Sequence, residues 1–233
     1  MESEFLNYLD VFQICDSTFP IGSFNHSFGM ENYLYNKTIK KNDDFSIWFN
    51  NFFNTQFKHG EGLLIKLVYE SSGTHNLKKI LFYDDVITKS SLAKETRDGN
   101  KLIAKQLINI LEVLYKNKIP MLDKYRNIVL KKEAYGNPAI VFALFSLYKK
   151  LSLEEAIFMY SYSVGATIVQ NAVRSIPIGQ KEGQIILKNL TVSLPNLISQ
   201  IMKLDEDTLG ANTPGIEIAQ IRHESQSFRL FMS

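Results

Sequence analysis

An all-α fold follows from three features of the sequence. Apolar residues recur mostly at spacings of three and four, only 6 prolines and 12 glycines interrupt 233 residues, and no stretch alternates apolar with polar as a half-buried strand would. Spacings of three and four gather side chains on one face of a helix, and such faces bury themselves against one another. No repeat, low-complexity linker or change of composition divides the chain. Residues 1–233 are therefore expected to form a single all-α domain of bundle-like architecture, carrying a tail over about 214–233.

The elements can be justified in order. Phe45, Trp48, Phe49, Phe52, Phe53 and Phe57 define an aromatic helical face, and Asp43 and Asp44 precede it where a helix amino terminus favours acids. A stripe of this kind belongs to a core far more often than to a cofactor pocket. Leu102, Ile103, Leu107, Ile110, Leu111 and Leu114 predict a second amphipathic helix, which Asn117 and the Ile119-Pro120 step bring to an end. The segment from Ile140 to Leu147 is apolar nearly all round and predicts a central helix. Ser152 and Glu155 form a capping box that opens a helix carrying Ala156, Ile157, Tyr160, Val164, Ile168 and Ala172, which should stop before Pro177. A further helix spans Gln180 to Leu190, with Pro195 expected to force a bend or restart. Asp205 to Pro214 reads as a polar loop, and a short polar helix follows it.

Composition narrows the function. With 26 basic and 24 acidic residues the net charge is +2, too balanced for nucleic acid or an anionic membrane to be the main partner. The opening MESEFLNYLD has acids where a secretory signal has Lys or Arg. Ala139 to Tyr148, the longest uncharged apolar run, falls short of the roughly 20 residues that cross a bilayer. A cytoplasmic protein is the expectation. One cysteine, Cys15, permits no internal disulfide and no multi-cysteine zinc site, and is expected to pack as a small buried hydrophobe.

The search for chemistry is mostly negative. No glycine-rich run ending in Lys-Ser or Lys-Thr is present to cradle phosphates, so the chain is not itself a P-loop nucleotidase. Gly22 and Gly29 match neither a dinucleotide fingerprint nor a kinase loop, and read as turn formers. His26, His59, His75 and His223 are scattered; His59 with Glu61, and His223 with Glu224, lack the second histidine one helical turn away that a zinc motif needs. Cys15, Asp16, Ser17 and His26 could be drawn as a nucleophilic set, but no nucleophile elbow supports it. No catalytic residue, metal ligand or cofactor is assigned.

Three segments do not read as core: Asp16 to Glu31, Arg174 to Gln184, and Pro214 to Ser233. In the first, Pro20 and Gly22 set a turn, Phe19 and Phe24 pin it to the core, and His26, Ser27 and Glu31 are expected to present polar groups beyond it. In the second, Arg174 occupies the last turn of a helix, where it either satisfies terminal carbonyls or contacts a partner, and Pro177 and Gly179 enforce a sharp exit. The third ends in Phe228, Arg229, Leu230, Phe231 and Met232, which either fold back on the core or anchor a partner.

These segments carry a family resemblance. DSTFPIGSFNHSFGMEN (residues 16–32), YSYSVGATIVQNAVRSIPIGQKEGQIIL (160–187) and RHESQSFRLFMS (222–233) are similar, in this order, to the urease accessory protein UreF family, and Glu95, Arg97 and Gly99 fall where that family has a charged helix ending in a glycine turn. The resemblance implies an all-α, non-enzymatic assembly factor, often a homodimer, that binds UreD (UreH in some organisms). It also implies recruitment of the GTPase UreG and delivery of nickel to apo-urease, with nickel and GTP handled chiefly by those partners. A nickel-carrying metallochaperone, or a modulator of UreG GTP hydrolysis through Arg174 or Arg97, is the alternative. The resemblance further implies that the tail contributes to the UreD interface, with Arg222, His223, Glu224, Arg229, Leu230 and Phe231 the expected contacts; the loop with Pro20, Gly22, His26, Ser27 and Glu31 reads as a docking surface for UreG or for the dimer partner, and Arg174 as a further candidate contact.

Overall fold

Helices α1 (Glu2–Cys15), α2 (Met30–Tyr35) and α3 (Asn42–Phe52) come first in the computed structural model, which describes residues 2–73 and 76–232; His75 and Ser233 lie outside them. A π-helical stretch, Phe53–Gly62, joins α3 to α4 (Leu63–Gly73), and α5 (Leu77–Ser90), α6 (Lys94–Tyr115) and α7 (Pro120–Leu130) follow. The chain then runs through α8 (Pro138–Tyr148), α9 (Leu153–Ser175), α10 (Gln180–Ile201) and α11 (Pro214–His223). No β-strand occurs among the described residues, and none of their helices is long and apolar enough to cross a membrane.

The aromatic face behaves as its spacing requires. Phe45, Trp48, Phe49, Phe52, Phe53 and Phe57 are all buried, and Phe53 stands with its ring centroid 5.0 Å from both Phe49 and Phe57. Each such side chain contributes about 1.5–3 kcal/mol of apolar burial, enough to carry the helix through its irregular π-helical turns. At its start the Asp44 carboxylate accepts the N–H groups of Lys40 and Lys41 at 3.0 and 3.3 Å. Helix α8, apolar all round, lies at the centre against α4 and α6, with Pro138 to Ser146 buried without a break.

The Ser152 and Glu155 box opens α9 as its sequence dictates, the Glu155 carboxylate accepting from the Ser152 N–H at 2.8 Å while the Ser152 hydroxyl accepts from the Glu155 N–H at 3.3 Å. That helix stops at Ser175, before Pro177. The helix does not restart at Pro195. Helix α10 continues through it to Ile201, because Leu187, Leu190 and Leu194 before the proline and Leu197, Ile198 and Ile201 after it form one buried stripe, on the side where α10 packs against α9 and the π-helical stretch. A proline inside a helix costs about 3 kcal/mol. Burying three aliphatic side chains beyond it contributes more. In α6 the buried stripe is Ile103, Ala104, Leu107, Ile108 and Leu111, whereas Leu102 and Leu114, expected on the core face, are exposed.

Residues 2–15 form a helix that the apolar spacing does not single out, with Phe5, Leu6, Leu9 and Phe12 exposed. It is tied down by an ion pair from Asp10 to the buried Lys149, whose ammonium lies 4.4 Å from the centroid of the Tyr115 ring. Cys15 is buried as expected, and burial pushes its thiol up to about 12.

Candidate docking site

The three polar segments meet on one side of the molecule, where α11 packs on α2 and α6 and the tail folds back over both. Gly22 and Gly29 make this possible with φ of 85° and 87°, left-handed values that glycine adopts without strain and that turn the chain twice between α1 and α2. The second turn aims Glu31, in the first turn of α2, toward α11.

At the centre is His223, the last residue of α11 and fully buried. Its Nε2 lies 2.8 Å from Glu31 Oε2 and its Nδ1 lies 2.9 Å from Glu95 Oε2 at the start of α6. Both carboxylates then reach the tail. Glu31 accepts the backbone N–H of Leu230 and, at 3.1 Å, that of Phe231, and Glu95 accepts from the Arg229 guanidinium at 2.6 Å. Two carboxylates thus face one imidazole and one guanidinium, so a protonated His223 balances the cluster.

The electrostatics follow from these contacts. Burial alone would raise the Glu31 carboxyl, but hydrogen bonds from His223, Leu230 and Phe231 outweigh it and hold the group below its ordinary range. Burial likewise opposes charge on Glu95, and His223 and Arg229 overcome it. Burial would lower His223, yet the two carboxylates win and hold its imidazole above the usual histidine value.

Further stitches surround the cluster. The Met232 N–H donates to the Asn25 carbonyl at 2.7 Å, and the Asn32 amide donates to Gln226 at 2.8 Å. Glu224 accepts the N–H groups of Lys94 and Glu95 at 2.6 and 3.3 Å, and Glu217 accepts those of Leu92 and Ala93. Together Glu217 of α11 and Glu224 just after it cap α6, whose own sequence supplies no capping side chain. Arg174 sits 5.5 Å over the Phe231 ring and reaches the Phe24 carbonyl at 3.4 Å, so it bridges tail and loop instead of closing its own helix.

The placement corrects several expectations. His26, Ser27 and Glu31 do not present polar groups outward; they are buried, because the tail and α6 cover them and the His26 carbonyl accepts from the Asn171 amide at 2.9 Å. Burial lowers the His26 imidazole. Phe19 is buried as expected but Phe24 is 44% exposed, so only the first of the pair pins the turn. The tail does fold back, with Phe231 buried, yet Phe228, Leu230 and Met232 stay exposed. Pro20, Arg174, Arg222, Glu224 and Arg229 are exposed as well, and Gly22 is half-buried. His223 is the interior hub of this face and not part of its surface. Glu95, matched above only as part of a family pattern, proves to be a central partner, and the helix that carries it does not end in a glycine turn at Gly99 but runs on to Tyr115.

Comparison with known proteins fits this arrangement of segments. The UreF family model matches residues 39–191. A protein of Streptococcus salivarius named urease accessory protein UreF is 52% identical over 227 residues, covering 97% of this chain and 95% of that one. Proteins of the same name from Bacillus sp. strain TB-90 and Ureaplasma urealyticum are 40% and 36% identical, covering 97% and 100% of this chain and 98% and 99% of theirs. With similarity running through the loop, the core helices and the tail alike, the chain belongs to the urease accessory protein UreF family.

Proposed function

We propose that this protein is a non-enzymatic scaffold of urease maturation, which binds UreD (UreH) through its carboxyl-terminal face and recruits the GTPase UreG, so that nickel reaches apo-urease. The observation that carries the reading is the collinear identity of 52% over 97% of the chain to a protein named urease accessory protein UreF. The geometry supports the tail as the contact surface. Phe228, Leu230 and Met232 project from a backbone pinned at Glu31 and Asn25, with Arg229 in the same run and Arg222 exposed on α11. Apolar and arginine side chains held on a fixed backbone lose little entropy on docking. Nickel and GTP remain with the partners, and the chain works in the cytoplasm, as a homodimer in this reading.

The test is reconstitution. The protein is co-purified with UreD and UreG, with and without GTP and nickel, and the complex is added to apo-urease. The reading predicts a stable complex and urease activity that appears only when this protein is included. A chain that binds neither partner, or urease that activates equally well without it, overturns the proposal.

A further inference from the structure

Helix α1 turns an apolar stripe to water. Phe5, Leu6, Leu9 and Phe12 are 67%, 56%, 61% and 56% exposed, and their spacing gathers them on one face, whereas the polar Tyr8 and Asp10 reach Glu155 and Lys149. Alongside the stripe, Tyr8, Phe12, Phe158, Met159, Pro195 and Ile198 line an open groove of about 530 Å³ between α1, α9 and α10, with Glu154 and Glu155. Its polar groups are largely satisfied within the chain. Glu155 accepts from the Tyr8 hydroxyl and from Ser152, Asp10 pairs with Lys149, and Glu154 is the exposed acid of the groove. The face can therefore lose water without stranding those donors and acceptors. The carboxyl-terminal tail does not cover it, being seated on α2 and α6 through Glu31 and Glu95. Helix α9 carries Phe158 near its start and Arg174, the partner of Phe231, in its last turn, roughly 24 Å apart at the α-helical rise.

We propose that this face seats a second copy of the chain: about a twofold axis, each copy lays the Phe5, Leu6, Leu9 and Phe12 stripe of α1 along the groove of the other. A twofold pairing requires one patch to be complementary to itself, and here an apolar ridge and an apolar groove lie side by side. The area agrees with a second copy as the occupant. The exposed parts of Phe5, Leu6, Leu9, Phe12 and Phe158 amount to on the order of 600 Å² per copy, so pairing removes on the order of 1,200 Å² in total, the lower end of a specific interface. This names the face that the homodimer reading leaves open, and it rests on that reading. Because the tail is held at the far end of α9, pairing through α1 leaves it uncovered on both copies. The dimer then presents two separate faces to UreD.

Sedimentation equilibrium of the full-length protein and of a Leu6→Glu, Leu9→Glu double variant tests this. Both side chains face water in the single chain, so the variant should keep its helicity and melting temperature while burying acids in the pairing face. The proposal predicts a wild-type dimer at micromolar concentration and a dimer dissociation constant raised on the order of 100-fold in the variant. A wild-type dimer that the variant leaves equally tight overturns the assignment of this face and leaves the homodimer reading standing. A wild type that is monomeric at every concentration overturns both and gives the groove to a different partner. Cross-linking decides if the variant does not fold. The single cysteine, Cys15, is buried, so Leu9→Cys adds one accessible thiol, which a short bis-maleimide should join to its copy far faster than the similarly exposed Phe82→Cys on α5. Equal rates at the two positions overturn the proposal.

Discussion

Gly99 lies directly beneath His26: a Cβ added at residue 99 would stand 2.5 Å from Cε1 and 2.8 Å from Nδ1 of the imidazole, well inside contact distance. Gly99 is within α6, where alanine would otherwise gain up to about 1 kcal/mol of helix propensity. The clash outweighs this, since His26 is buried and its backbone is tied to Asn171. Gly99→Ala should destabilise the protein by about 1–2 kcal/mol in urea unfolding. Combining it with His26→Ala should recover part of that loss, and strict additivity of the two changes would show that the contact does not carry the effect.

Glu217→Ala removes the acceptor for the Leu92 and Ala93 N–H groups, leaving buried donors at the start of α6 without a partner. The expected loss is about 1–3 kcal/mol, with Glu217→Gln costing less because its amide oxygen still accepts. Unfolding followed by circular dichroism checks both.

What was legible in the sequence was what local rules decide. Asp44 and the Ser152 and Glu155 box act within one helical turn, and the aromatic spacing from Phe45 to Phe57 reports its own buried face. The helix does not restart at Pro195 for the complementary reason: a local preference to stop is overruled by the burial of Leu197, Ile198 and Ile201 beyond it. The site was legible as three segments but not as a cluster. Glu31 finds His223 192 residues away and the Leu230 N–H 199 residues away, and no spacing rule spans such intervals. Hence Glu31, Ser27 and His26 looked like surface groups when they are interior ones.

The pH dependence of stability has two opposed parts. Glu31 and Glu95 have lowered carboxyl values, so their contribution is present above the ordinary 4.5 and is lost as pH falls through the lowered values. Glu31→Ala also strands His223 and two tail N–H groups, and should cost about 3–5 kcal/mol near pH 6. It should cost markedly less at pH 3, where the wild-type carboxylate is itself being protonated. Equal losses at the two pH values would contradict a charged Glu31.

Glu61 has the opposite sign. Burial pushes its carboxyl up to about 7, partly offset by the Tyr160 hydroxyl that donates to it at 3.0 Å. An acid with a raised value loses stability as pH rises from 4.5 to about 7, and the loss is complete above that. Glu61→Gln keeps an acceptor for Tyr160 and never ionises. It should raise stability by about 1–3 kcal/mol at pH 8 and leave it nearly unchanged at pH 4, as read from urea midpoints.

The most direct test of the central claim is a chain ending at Gln226 offered to UreD beside the full-length protein, with helicity and melting temperature confirming that both are folded. Removing residues 227–233 deletes Phe228, Arg229, Leu230 and Phe231 and leaves His223 in place. The account predicts that the truncated chain keeps its helices and loses co-purification with UreD. Undiminished affinity of the truncated chain for UreD would contradict it.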